Sequence, residues 1–189
     1  MPMRFFNTTG PCNPTDHYML PATERLEAFD IARLLAQKSY FIVHAPRQTG
    51  KTTAMLELAR QLAAGGEYIG VLVSMEVGAA FPAEIGLAED AILSDWRQRI
   101  RFQLPQVLHP PFWKTDAPPG QRIGDFLAEW SLAAPRPLVV FIDEIDALQD
   151  QVLISVLRQL RSGFNQRPTA FPSSVALIVH VPGSSLAAI

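Results

Sequence analysis

The run Ala45-Pro46-Arg47-Gln48-Thr49-Gly50-Lys51-Thr52-Thr53 follows an apolar stretch, Tyr40-Phe41-Ile42-Val43, and leads into a segment with helical spacing of its apolar residues. The pattern is Ala or Gly, four residues of any type, then Gly-Lys-Ser/Thr, which is the spacing of a phosphate-binding loop (P-loop). Its chemistry is geometric: backbone N–H groups of a tight loop converge on phosphate oxygens, and the N-terminus of the following helix adds partial positive charge. Gly50 allows close backbone approach, and Lys51 reaches the phosphates as a point charge. The Thr52 hydroxyl is of the type that enters the shell of a magnesium ion. Met55, Leu56, Leu58, Ala59, Leu62 and Ala63 form the stripe of the helix, which the sequence predicts to end at Gly65-Gly66. The candidate phosphate-binding residues are therefore Pro46, Arg47, Gln48, Thr49, Gly50, Lys51, Thr52 and Thr53.

A second run completes the site on paper. Leu138-Val139-Val140-Phe141-Ile142 is continuously apolar and ends in Asp143-Glu144, which reads as a strand buried on both faces of a parallel sheet. In open α/β sheets ligands sit outside the carboxyl ends of the strands, so Asp143 and the loop are expected to meet there. Asp143 is placed to hold the metal with Thr52. Glu144 is the candidate general base for an attacking water, with Lys51 as its catalytic companion. Asp146 reads as a helix cap or a surface acid.

The two motifs together resemble the AAA-like ATPases of the additional-strand, catalytic-glutamate division of P-loop proteins. More narrowly, residues 5–26, FFNTTGPCNPTDHYMLPATERL, resemble the segment ahead of the loop in a family of bacterial AAA-like ATP-binding proteins. The resemblance spans residues 5–179. It implies ATP and Mg2+ as cofactors, a cytoplasmic location, and a homo-oligomer or an appended or partner protein domain as the receiver of the nucleotide state. It also implies that the stretch before the loop crosses the adenine, with Tyr18 or Leu20 stacking on the base; core packing is the other reading of both, and His17 lies beside them. Two other nucleotide-using classes fit less well. A GTPase needs Asn or Thr before Lys-x-Asp, and the one such triplet, Lys114-Thr115-Asp116, follows Trp113 in a proline-rich stretch. Small-molecule kinases rarely place Glu directly after the metal-binding Asp.

Length and composition agree with one α/β domain: 189 residues, 48% hydrophobic, with a net charge of −2 that creates no general attraction for nucleic acid. A single cysteine, Cys12, excludes an intrachain disulfide. No signal peptide and no membrane-spanning run is legible.

The order of elements predicts a three-layer, mostly parallel P-loop NTPase sheet with right-handed crossovers. Helices are expected over residues 23–37 (Leu26, Phe29, Leu34 and Leu35 inward), 84–104 (carrying Ile85, Leu87, Ile92, Leu93, Trp96 and Ile100), 121–133 and 148–161, the last ended by Gly163. Strands are expected over 68–75 and 175–181, with His44 in the first strand facing a helix. Residues 105–119 carry five prolines and read as a loop. The domain reading is a turn-rich segment and helix at 1–39, an ATPase core at 40–181, and a short tail at 182–189. Four core strands can be placed. The fifth strand and helical lid implied by the resemblance have no counterpart, so the expectation is a fragment or a prematurely terminated family member. His180 occupies the place of a polar residue that would sense the γ-phosphate; a structural role is the alternative. Arg158, Arg161 and Arg167 are arginine-finger candidates, with a solvated helix face as the alternative. Arg97, Arg99 and Arg101 do not share one helical face and read as surface residues.

Overall fold

The computed structural model describes residues 31–45, 50–112 and 116–180. Four strands, β1 (Tyr40–Ala45), β2 (Ile69–Ser74), β3 (Leu138–Asp143) and β4 (Ser174–His180), form one sheet in the order β1-β4-β3-β2. Every neighbouring pair is parallel. The helices are α1 (Ile31–Ala36), α2 (Lys51–Gly65), α3 (Ile85–Gln103), α4 (Arg122–Ala133) and α5 (Asp150–Gly163). β2 and β3 are buried at every residue, as continuously apolar strands covered on both faces must be.

Two cores lie on opposite faces of the sheet. On one, Ile31 and Leu35 of α1 and Met55 and Ala59 of α2 pack on Leu72, Phe141 and Ile178. On the other, Trp96, Ile100, Trp130 and Val156 from α3, α4 and α5 pack on Val71, Val140 and Val175. This division follows from topology. The chain crosses the sheet one way from β1 to β2 and returns through β3 to β4, so crossovers of a single hand must send α2 to one face and α3, α4 and α5 to the other. β1 and β3 thus lead to helices on opposite faces, and the crevice between them opens at their carboxyl ends.

Local chemistry explains several details. α2 ends at Gly66, whose φ of 80° is the left-handed conformation that glycine adopts without penalty. Gly70 of β2 lets that helix lie close to the sheet, since a Cβ there would stand 2.5 Å from the Ala59 carbonyl oxygen. The outer edge of β2 is closed by a side chain. Gln103 at the end of α3 accepts from the Leu72 N–H (2.9 Å) and donates to the Leu72 carbonyl (2.6 Å), in the manner of a neighbouring strand. The large indoles are satisfied too, Trp96 donating to the Ser74 carbonyl (2.8 Å) and Trp130 to the Leu108 carbonyl (3.0 Å).

The structure refines several sequence expectations. His44 does lie in β1, but it is exposed, and β1 is at the edge of the sheet among the described residues; Ile42 on the same face is 61% exposed. Leu87 is exposed, and the buried stripe of α3 runs through Ala88, Glu89, Ile92, Leu93, Trp96 and Ile100. Leu148 precedes α5 as its buried N-terminal flank, and the helix proper starts at Asp150. Gly163 ends α5 as expected, with a φ of −72°, and the chain continues into a short 3-10 turn. It is needed for space, because a Cβ there would lie 2.4 Å from the ring of Phe171. Of the helix expected over 23–37, the described part is Ile31–Ala36, and the fold of 1–30 and 181–189 lies outside the described residues. Among the described residues, no helix is long and apolar enough to cross a membrane.

Candidate functional site

The carboxyl ends of β1, β3 and β4 and the start of α2 converge in one place. Pro46, Arg47, Gln48 and Thr49 lie outside the described residues, as do His17, Tyr18, Leu20 and Cys12. From Gly50 onward the geometry is explicit. Gly50 has φ 79°, a left-handed conformation that permits the chain to turn directly into α2, and its carbonyl accepts the first helical bond from Ala54 (2.9 Å). Lys51 and Thr52 are the first two residues of the helix, and Lys51 is buried despite its charge, at 8% exposure. Thr53 follows on the same turn.

Thr52 and Asp143 meet across 91 positions of sequence. The Thr52 hydroxyl donates to Asp143 Oδ2 at 2.6 Å, and Asp143 Oδ1 accepts from the Glu144 N–H at 3.0 Å. Asp143 is 5% exposed, so both oxygens depend on these donors for the solvation lost on burial. The next residue, Glu144, has φ 55° and ψ 34°, a left-handed conformation that costs a non-glycine residue about 1–2 kcal/mol. The chain turns there out of β3 into a 3-10 turn, Ile145–Ala147. Non-glycine residues held in such conformations cluster at functional sites.

The Glu144 carboxyl lies above the ordinary glutamate range. Burial is the largest cause; the nearby acids Asp143, Asp146 and Glu76 push it the same way, and His180 pulls it down. A raised carboxyl is what a base needs in order to take a proton near neutrality.

His180 is the residue whose placement the sequence left open. It ends β4 opposite Ala45, the last residue before the loop. Its backbone N–H donates to Asp146 Oδ2 (3.2 Å), so Asp146 ties the end of β4 to the turn after β3 and is not a helix cap. The imidazole Nδ1 stands 3.3 Å from Glu144 Oε2 and 3.6 Å from Asp146 Oδ1. Neither is a hydrogen bond: Nδ1 is buried and without a hydrogen-bond partner. Side-chain donor atoms of Asp143, Glu144 and His180 all lie within 4.8 Å of one another. The signal that could have located His180 was the alternation of β4, but its use required knowing that β4 lies next to β1.

The arginines separate. Arg158 and Arg161 are exposed on α5. Arg167 is engaged within the chain, stacked over Phe164 and donating to the Phe164 and Lys38 carbonyls. Arg99 pairs with Asp95 on its own helix, and Arg97 and Arg101 are exposed.

One buried group had no signal in the sequence. Glu89 is wholly buried on α3, with Oε1 accepting from Gln159 Nε2 (2.8 Å) and Oε2 from the Gly120 N–H (2.7 Å). Gln159 Oε1 in turn accepts from the Gly124 N–H (2.9 Å), so one network joins α3, α4 and α5. A scan against protein-family models returned no match to this chain, and a search of curated proteins found none either.

Proposed function

We propose that this chain is the core of an AAA-like P-loop ATPase, in which Lys51 and the loop bind ATP, Thr52 and Asp143 hold Mg2+, and Glu144 activates the attacking water. The observation that carries this reading is the Thr52–Asp143 hydrogen bond of 2.6 Å, which joins the end of the loop motif to the acidic strand. Its setting adds support. The contact lies at the carboxyl edge of a parallel sheet, beside the N-terminus of a 15-residue helix and a buried lysine, where an anionic ligand is favoured. β4 stands between the strand leading into the loop motif and the strand bearing the acids.

The donors fit magnesium: a hydroxyl and a carboxylate are hard oxygen ligands of the kind it takes alongside waters and phosphates. When bound, the ion neutralises charge that develops on the phosphates. The chain's own contributions are distinct. Lys51 supplies positive charge from a position already removed from solvent, so its field is weakly screened. Glu144, with its raised carboxyl, accepts the proton of the water. The change of nucleotide state would pass to neighbouring segments through the turn 145–147 and α5, and from there to another subunit or domain. Arg158 and Arg161, exposed on α5, are within reach of such a neighbour.

One observation favours a second reading, a nucleotide-binding module with little turnover. Glu144 Oε2 is directed toward His180, which competes with water for the base. Two variants separate the readings. Lys51→Ala abolishes binding of a fluorescent ATP analogue under both. Glu144→Gln preserves binding and lowers magnesium-dependent phosphate release about 100-fold or more if Glu144 is the base. ATP affinity unchanged by Lys51→Ala would refute both readings, and competition between ATP and GTP tests the base preference.

A further inference from the structure

Apart from the γ-phosphate-sensing place that the resemblance implies, the proposed reaction gives His180 no task, yet its imidazole is held close to the acids. Its backbone is held by Asp146, and Nδ1 is turned inward between two carboxylates at 3.3 and 3.6 Å. An imidazole paired simply with a carboxylate directs its N–H at the oxygen and forms a hydrogen bond. Here the nitrogen is buried and is off-axis to both neighbours. The 3.3 Å from Nδ1 to Glu144 Oε2 is instead the spacing of two ligands of a common ion: with bonds of about 2.1 Å, two donors on a tetrahedral ion stand about 3.4 Å apart. Asp143, Glu144 and His180 each bring a donor atom into a cluster within 4.8 Å. Although Asp143 accepts from Thr52 and from the Glu144 N–H, each carboxylate oxygen keeps a second lone pair.

We propose that Asp143, Glu144 and His180 form a site for a divalent transition-metal ion of the zinc class, filled in the nucleotide-free chain. Donor chemistry sets the class. An imidazole nitrogen with two carboxylates suits Zn2+ or Co2+, whereas Mg2+ takes oxygen ligands and gains little from the nitrogen. Asp146 acts as the positioning residue, holding the end of β4 so that the imidazole faces Glu144. The inference goes beyond the ATPase reading and does not require nucleotide. Where that reading holds, the same occupancy takes Glu144 away from water, so the zinc-filled chain is hydrolytically silent.

The test uses the full chain, stripped of metal by dialysis against a chelator and free of nucleotide. Calorimetric titration with Zn2+ is expected to give one ion per chain, and Co2+ to give the intense visible absorption of a tetrahedral complex. His180→Ala weakens Zn2+ binding by at least about 10-fold and abolishes the Co2+ band. It leaves weak Mg2+ binding unchanged. His44→Ala and Cys12→Ser retain wild-type Zn2+ affinity. Should His180→Ala not fold, 15N NMR of the wild-type imidazoles decides, because Zn2+ must shift His180 Nδ1. Equal Zn2+ affinity with and without His180, no stoichiometric binding, or an unshifted Nδ1 overturns the proposal. Lys51→Ala distinguishes the two claims, since it is expected to lose ATP and keep Zn2+. A chain that binds Zn2+ but not ATP refutes the nucleotide reading alone; one that binds ATP but not Zn2+ refutes this inference alone.

Discussion

Replacing Thr52 with Val tests the contact on which the site reading rests. The two side chains have nearly the same shape and similar helix propensities, so the substitution removes the hydroxyl and little else. What it leaves behind is Asp143 Oδ2, on a residue 5% exposed, without the donor that stood 2.6 Å away. A hydrogen bond to a charged group contributes about 1.5–3 kcal/mol. Thr52 is only half-buried, so water can partly replace the lost donor, and the lower end, about 1.5 kcal/mol, is expected. For a chain of this size that is a fall in Tm of about 3–6 °C. Urea denaturation of Thr52→Val, Asp143→Asn and the double variant closes a cycle, whose coupling should be about 1 kcal/mol or more. A Tm change under about 1 °C together with zero coupling would show that the hydroxyl does not rest on Asp143 in solution, and the metal-holding pair would lose its basis.

The remaining predictions concern Glu144 and Gly163. Because burial and neighbouring acids raise the Glu144 carboxyl, the acid limb of the hydrolysis rate should fall at higher pH than for an ordinary glutamate. His180→Ala, which removes an influence that lowers it, should move that limb further up; a limb in the ordinary glutamate range in a kcat–pH profile would contradict this. The linked stability has the matching sign. The raised group favours the folded state fully below the ordinary glutamate pKa, and that contribution is lost as pH rises through the higher folded value, so Glu144→Gln should be more stable relative to wild type at neutral pH than in acid. Gly163→Ala should destabilise by about 1–3 kcal/mol in urea melts, although alanine is the better helix former, because its Cβ would meet the Phe171 ring at 2.4 Å. A more flexible Leu at 171 should recover part of the loss, and a stabilised Gly163→Ala protein would contradict the close approach.

The parts legible in the sequence share a cause: they are written in short-range patterns. The loop motif, the helix after it ending at Gly66, and the buried strand ending in Asp143-Glu144 each follow from spacing within a few residues. Their meeting at the carboxyl edge of a parallel sheet followed from alternation of strand and helix, and Thr52 does stand on Asp143. The misreadings share a cause as well. His44 sits in the expected strand, but whether its face is covered depends on which strand is at the edge of the sheet. Gly163 ends α5 as the sequence suggests, but nothing local shows that it is also the gap that admits Phe171. Glu89 reads as an ordinary charge of an amphipathic helix, and only the approach of Gln159 and Gly120 lets it be buried.

Taken alone, then, the sequence determined an α/β chain, the helix that begins at Lys51 and the buried strand that ends in the acids at 143 and 144, because backbone propensity and hydrophobic period act over short separations. Tertiary structure alone decided the strand order β1-β4-β3-β2, and with it the neighbours of the acids. Strand order is a choice among pairings of similar apolar strands, made by how the helices cover both faces, and no local pattern encodes it. That choice brings His180 to 3.3 Å from Glu144, and so turns a lone strand-end histidine into part of the site.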